Sequence, residues 1–178
     1  MTKEERIQER LFNVAIHESG HILALLSFNI TPYYVELNEL GGETKCTYPN
    51  DWTKDKDDYV LLSGCVAESI SNNTFADLIE QVLAGNIPKG SSSDFSKLTL
   101  SDTKLIADMM LHIRDYILNE RWFIVLEFAS ELLEHGKLNR KDISKIADRL
   151  CGIDRNIGHI AHFMENRTSL TLDINRFY

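Results

Sequence analysis

The chain has no surplus of positive charge. Nineteen Lys and Arg stand against 27 Asp and Glu, a formal net charge of −8 over 178 residues. Neutralising a phosphate backbone needs a basic face, so no nucleic-acid partner is expected. Long apolar runs are also lacking. None approaches the roughly 20 residues that span a bilayer, so no membrane segment is expected. The charged start MTKEERIQER does not read as a signal peptide. Cysteine is scarce: Cys46, Cys65 and Cys151 are odd in number, widely spaced and without a C-x-x-C pair. That pattern excludes a disulfide framework and a cysteine-based structural zinc site, and it fits a reducing cytoplasm. Cys65, within Tyr59-Val-Leu-Leu-Ser-Gly-Cys-Val-Ala67, reads as a small buried hydrophobe. There is no G-x-x-x-x-G-K-[ST] loop; Gly85-Asn-Ile-Pro-Lys-Gly90 is not followed by the lysine that cradles phosphates.

What remains is ordinary globular material, 43% apolar and 26% charged, and long enough for one domain with a real core. From Lys3 to about Ser27, Ile7, Leu11, Val14, Ala15, Ile22 and Leu25 recur at helical spacing until Thr31-Pro32 breaks the pattern. Tyr33–Leu37 alternates, Gly41-Gly42 punctuates, and Thr44–Tyr48 returns, which predicts a hairpin. Pro49–Asp58 reads as polar loop. Helices are expected over Asp58–Ser71, Phe75–Ala84, Asp94 to about Asn119, and 121–135 with Gly136 as C-terminal cap. Asn139 is placed to cap a last helix over Arg140–Leu150. The tail from Ile157 is weakly helical, then polar. The expectation is one mainly α domain with a small β-hairpin or sheet.

Chemistry concentrates in His17-Glu18-Ser19-Gly20-His21. Histidines four apart on a helix project about 40° from each other, so both imidazoles reach one ion without distorting the backbone. Glu18 lies at the edge of that face, where it can take a proton from metal-bound water without binding the metal. Zinc lowers the pKa of such a water toward about 7. Composition alone would yield this pattern in under roughly one per cent of chains this long, so a zinc site is the better reading. Gly20 inside a helix costs about 1 kcal/mol against alanine, which points to a packing or access requirement. A catalytic zinc needs a third protein ligand. Ala24 and Ser27 exclude a third histidine on the same helix, leaving Glu68 and Asp94 as the competing carboxylates.

Other candidates favour plain readings. His159 and His162 share a spacing of three but have no nearby carboxylate or cysteine, so they read as exposed structural histidines. His112 and His135 stand alone. Trp122, Phe123 and Phe128 fall at helical spacing and are expected in the core. Asp51, Asp55, Asp57 and Asp58 lack calcium-loop spacing and read as a solvated charged loop.

These features together resemble the peptidase domain of the FtsH-type membrane AAA proteases, over most of residues 10–150. His17-Glu-Ser-Gly-His21 is similar to that family's H-E-A-G-H helix, and Gly41–Pro49 to its following hairpin. Ser63-Gly-Cys-Val-Ala-Glu68 resembles G-G-R-x-A-E, with the first glycine and the arginine absent. Gly90-Ser-Ser-Ser-Asp-Phe95 resembles the G-A-S-N-D-L turn, whose aspartate is the family's third zinc ligand, and Thr99 matches a family threonine. The resemblance therefore implies a zincin-like, FtsH-type fold with Zn2+ held by His17, His21 and Asp94. Because the register slips after Thr99, Asp102 is an alternative ligand beside Glu68. The family's ATPase module and membrane anchor have no counterpart here. The expected protein is the peptidase part alone, acting without ATP unless a separate ATPase feeds it.

The resulting expectation is a zinc metalloendopeptidase acting on unfolded or partner proteins, with Glu18 as general base. Thr44, Lys45, Cys46 and Thr47 are expected to hold an extended peptide by edge pairing. A narrower regulatory protease with a single protein partner is one alternative; a zinc-binding adaptor that has kept the site but lost turnover is the other. Related domains form hexamers, partly through the ATPase absent here, so monomer, dimer and homo-oligomeric ring all stay open.

Overall fold

A computed structural model describes residues 2–38, 41–88, 92–119 and 121–150. Its organising element is α1 (Lys3–Ser27), opened by a capping box. Thr2 Oγ1 accepts from the Glu5 amide while the Glu5 carboxylate accepts from the Thr2 amide. The first three turns of α1 lie largely in solvent, whereas Ala15–Ser27 is buried apart from the partly exposed His17. That inner half is held by burial more than by helix propensity, since each enclosed Ile or Leu contributes about 1.5–3 kcal/mol. It packs against α2 (Lys54–Ser71) and α6 (Trp122–His135).

Around this pair stand α3 (Phe75–Leu83), the single turn α4 (Ser92–Phe95), α5 (Thr103–Leu118) and α7 (Arg140–Arg149). Three strands, β1 (Tyr34–Asn38), β2 (Gly41–Lys45) and β3 (Lys137–Asn139), form an antiparallel sheet in the order β2-β1-β3. β2 is thus an edge strand. The mainly helical architecture with a small sheet matches the class expected from sequence. Among the described residues, no helix is long and apolar enough to cross a membrane.

Several elements differ from the sequence reading. β2 begins three residues early, and Cys46–Tyr48 follow the strand rather than forming it. The two glycines read as a turn are strand residues, because Gly42 must lie against α1. α2 starts at Lys54, four residues ahead of expectation; its charged first turn carries Asp55 and Asp57, which favour a helix N-terminus. The helix expected from Asp94 to Asn119 is split. Asp58 captures the Thr99 and Leu100 amides, and Asp102 caps α5 by accepting from the Lys104 and Leu105 amides. The short β3 was not anticipated. Gly136 does close α6, in the left-handed conformation at φ 69°, and Asn139 caps α7 in a full capping box. Phe128 is in the core, but Phe123 is half exposed on the outer face of α6. His159, His162, Cys151 and the tail from Ile157 lie outside the described residues.

Candidate metal centre

Helical spacing turns His17 and His21 to one side of α1, and α4 brings Asp94 against them from 77 residues away in sequence. His17 Nε2 is 2.9 Å and His21 Nε2 3.5 Å from the same Asp94 oxygen, Oδ2. All three donor atoms lie within 4.8 Å of one another. Two donors bound at about 2.0–2.1 Å to one tetrahedral ion stand about 3.3 Å apart, and the two separations from Asp94 Oδ2 bracket that value.

Each imidazole is oriented by its outer nitrogen. His17 Nδ1–H donates to Glu68 Oε2 at 3.2 Å, and His21 Nδ1–H donates to the Val60 carbonyl at 2.7 Å. A metal-binding histidine needs such an outer partner to fix its tautomer. With Nδ1 so engaged, His21 Nε2 faces the Asp94 carboxylate at 3.5 Å.

The closeness of these groups also sets their ionisation. Burial alone would lower the pKa of His17, but the Asp94 and Glu68 hydrogen bonds and the charge of Glu18 outweigh it and raise the value to about 9. Burial would likewise raise that of Asp94; the bonds from His17 and His21 instead hold its carboxyl well below the usual range. The residues present fit a metal ion such as zinc, with two imidazoles and one carboxylate as donors.

Glu18 is nearly enclosed, and its Oε2 accepts from Thr44 Oγ1 on β2 at 2.6 Å. Three glycines make this crowding feasible. A Cβ at Gly42 would lie 2.4 Å from Glu18 Cγ, and one at Gly64 would lie 2.6 Å from His17 Nε2 and 2.7 Å from His21 Cε1. One at Gly20 would meet the Ser63 carbonyl at 2.4 Å, so the motif glycine is there for the α1–α2 approach.

The other expected residues fall in different places. Glu68 sits behind His17 on its outer nitrogen rather than among the three converging donors. Asp102 is engaged as the α5 cap, away from the group. Thr44, Lys45 and Cys46 line a cleft of about 760 Å³ in front of the donors. Thr44 is tied to Glu18 and Lys45 to Glu43, while Thr47 bonds Tyr33 and is not a lining residue.

Asp58 is the residue that sequence reasoning misjudged most. Read as part of a solvated acidic run, it is fully buried and accepts from Thr99 N–H, Thr99 Oγ1–H and Leu100 N–H. These three bonds pin the segment that follows α4, and so the position of Asp94. Only its place at the expected start of a helix, next to Tyr59 and Val60, hinted at burial. Neither the scan against protein-family models nor the search of curated proteins finds a match to this chain.

Proposed function

We propose that this chain is a zinc-dependent endopeptidase of FtsH-like type, in which His17, His21 and Asp94 hold the metal and Glu18 is the general base. The observation that carries the reading is the convergence of three donor atoms beside a carboxylate that is fixed by Thr44 and opens on the same cleft. Zinc, when bound, supplies a Lewis acid that acidifies a water and polarises the scissile carbonyl.

The chain's own residues do the rest. Thr44 holds one oxygen of Glu18, which leaves the other to take the proton from the attacking water and pass it to the leaving amine. Glu68 and the Val60 carbonyl keep both imidazoles from rotating. Asp58 keeps Asp94 in register with them. The edge of β2 away from β1, which pairs with no strand among the described residues, offers backbone groups to an extended peptide, which restricts substrates to unfolded segments. Stable substrates would need a separate ATPase to unfold them. The resemblance of the His17–His21 helix and the Gly90–Asp94 turn to FtsH-type peptidases supports the same assignment.

The test pairs metal analysis with hydrolysis of an unfolded protein such as casein. Wild-type protein should bind one zinc per chain and show chelator-sensitive cleavage. Glu18→Gln should keep the metal and lower the rate by about 10²–10⁴-fold. Undiminished cleavage by that variant would remove Glu18 from its role. Zinc binding without any cleavage by the wild type would replace the peptidase by a zinc-binding adaptor.

A further inference from the structure

The turn that carries Asp94 also carries a cation. Lys97 follows three residues later, its amide donating to the Asp94 carbonyl at 3.0 Å. Two residues beyond, the amide and hydroxyl of Thr99 are held by the buried Asp58 carboxylate, which fixes the backbone around Lys97. The Lys97 side chain is exposed and lines the cleft. Its Nζ stands 3.8 Å from Asp94 Oδ1, whereas the histidines face the other oxygen, Oδ2. That separation exceeds a hydrogen bond, and an exposed pair of this kind is held weakly. With a metal–oxygen bond of about 2 Å, the ammonium lies within about 8 Å of an ion bound by Asp94. It is not committed to its present partner.

The charge around the donors calls for such a group. Three carboxylates, Glu18, Glu68 and Asp94, surround the two imidazoles. A divalent ion on neutral histidines leaves this assembly with one negative charge in excess. Peptide hydrolysis then relocates that charge. The water oxygen adds to the carbonyl carbon, Glu18 takes the water's proton, and the carbonyl π pair becomes an oxyanion on the substrate. When the C–N bond breaks, that pair reforms the carbonyl and the departing nitrogen takes the proton from Glu18. Among the described residues lining the cleft, the lysines and arginines besides Lys97 are Lys45, Arg10 and Arg6. Lys45 is paired with Glu43 at 2.9 Å. Arg10 and Arg6 lie about 10 and 16 Å from His17 along α1, and side chains on a helix lean toward its N-terminus, away from the donors.

We infer that Lys97 is a catalytic residue of the proposed peptidase: its ammonium turns from Asp94 Oδ1 to the substrate carbonyl oxygen and stabilises the oxyanion formed there. The assignment rests on the peptidase reading. A lysine suits the task, as a compact charge on a flexible four-carbon stem that can follow the oxygen as its charge develops. Asn13, four residues before His17 on the same side of α1, also lines the cleft and is the competing donor. A neutral amide leaves the excess charge uncompensated, which favours Lys97. A buried, preorganised oxyanion donor is worth about 10²–10³-fold in rate, and an exposed lysine less, about 10–100-fold.

The test compares wild type with Lys97→Met, Lys97→Arg and Asn13→Ala. Two ligands are used: a phosphinic peptide, whose anion mimics the oxyanion, and the amide peptide of the same sequence. Phosphinate affinity is read by calorimetry on zinc-loaded protein, and amide affinity in the Glu18→Gln background, where cleavage is suppressed. Competition with a chromogenic chelator reads zinc affinity. Lys97→Met should lower phosphinate affinity by about 10–100-fold while amide and zinc affinities stay within about threefold of wild type. In cleavage, kcat should fall by a similar factor with little change in KM. Lys97→Arg, which keeps the charge, should recover most of the phosphinate affinity. Phosphinate affinity unchanged in Lys97→Met overturns the assignment, and so does a loss matched by an equal fall in zinc or amide affinity. A loss confined to Asn13→Ala gives the oxyanion to Asn13 instead. Wild-type protein that loads zinc but neither binds the phosphinate nor cleaves the amide overturns the peptidase reading, and the role of Lys97 with it. Wild-type protein that does both, beside an indifferent Lys97→Met, overturns the role of Lys97 alone.

Discussion

Gly64→Ala separates the metal site from the fold more cleanly than removing a ligand does. The residue lies inside α2, where alanine is favoured over glycine by about 1 kcal/mol. The added Cβ would sit 2.6 Å from His17 Nε2, 2.7 Å from His17 Cδ2 and 2.7 Å from His21 Cε1, against an ordinary contact of 3.4 Å or more. Both rings must retreat by roughly 0.8 Å, a large fraction of a bond of about 2 Å to zinc. Such overpacking costs about 1–3 kcal/mol in the fold. Set against the helix gain, the metal-free protein should lose no more than about 2 kcal/mol, or about 4–8 °C of Tm at this chain length. Zinc affinity should fall at least about 100-fold, near 2.8 kcal/mol, because the two donors no longer converge. Competition with a chromogenic chelator reads the affinity, and calorimetry in chelator reads the metal-free fold. Zinc affinity within about threefold of wild type, with the fold intact, would refute the proposed ligand geometry.

Glu68→Gln should weaken zinc binding by about 10–100-fold without abolishing it, as expected for a group that orients His17; complete loss would make Glu68 a ligand. Asp58→Ala leaves three donors without their acceptor, two of them backbone amides. It should destabilise the protein by about 3 kcal/mol or more, with zinc affinity falling alongside; denaturant unfolding at the wild-type midpoint would contradict the account of Asp58. In the metal-free protein, the His17 pKa is raised from 6.5 to about 9. The stability it contributes is therefore fully present below pH 6.5 and is lost as pH rises through about 9. Chelator-treated protein should show a Tm that falls across this window beyond any change in the zinc-loaded form. The same proton competes with the metal, so apparent zinc affinity should drop as pH falls below about 9. A pH-independent affinity between pH 6.5 and 9 would show that His17 carries no such proton.

Much of the local structure was legible in the sequence because its causes are local. The α1 boundaries follow from apolar spacing and the break at Thr31-Pro32, and the end of α6 from Gly136. The α7 cap follows from Asn139. The misreadings share a different cause. Thr99 and Leu100 leave the helical pattern because a carboxylate 41 and 42 residues away takes their amides. β3 is only three residues long and exists through pairing with β1, a partner about 100 residues distant. Gly41 and Gly42 resemble a turn in sequence but are strand residues, since the absence of a side chain at Gly42 leaves room for Glu18.

The His17–His21 helix was therefore decided by the sequence alone. A spacing of four on a regular helix places two imidazoles on one side whatever surrounds them. The sequence also named Glu68 and Asp94 as the carboxylates in contention, without a local rule to choose between them. Only the tertiary structure distributes their positions, putting Asp94 Oδ2 against both Nε2 atoms and Glu68 behind Nδ1 of His17. The reason is physical. Helical periodicity fixes directions within one element, whereas the place of a side chain 77 residues away depends on how α2 and the Asp58-pinned segment after α4 pack onto α1.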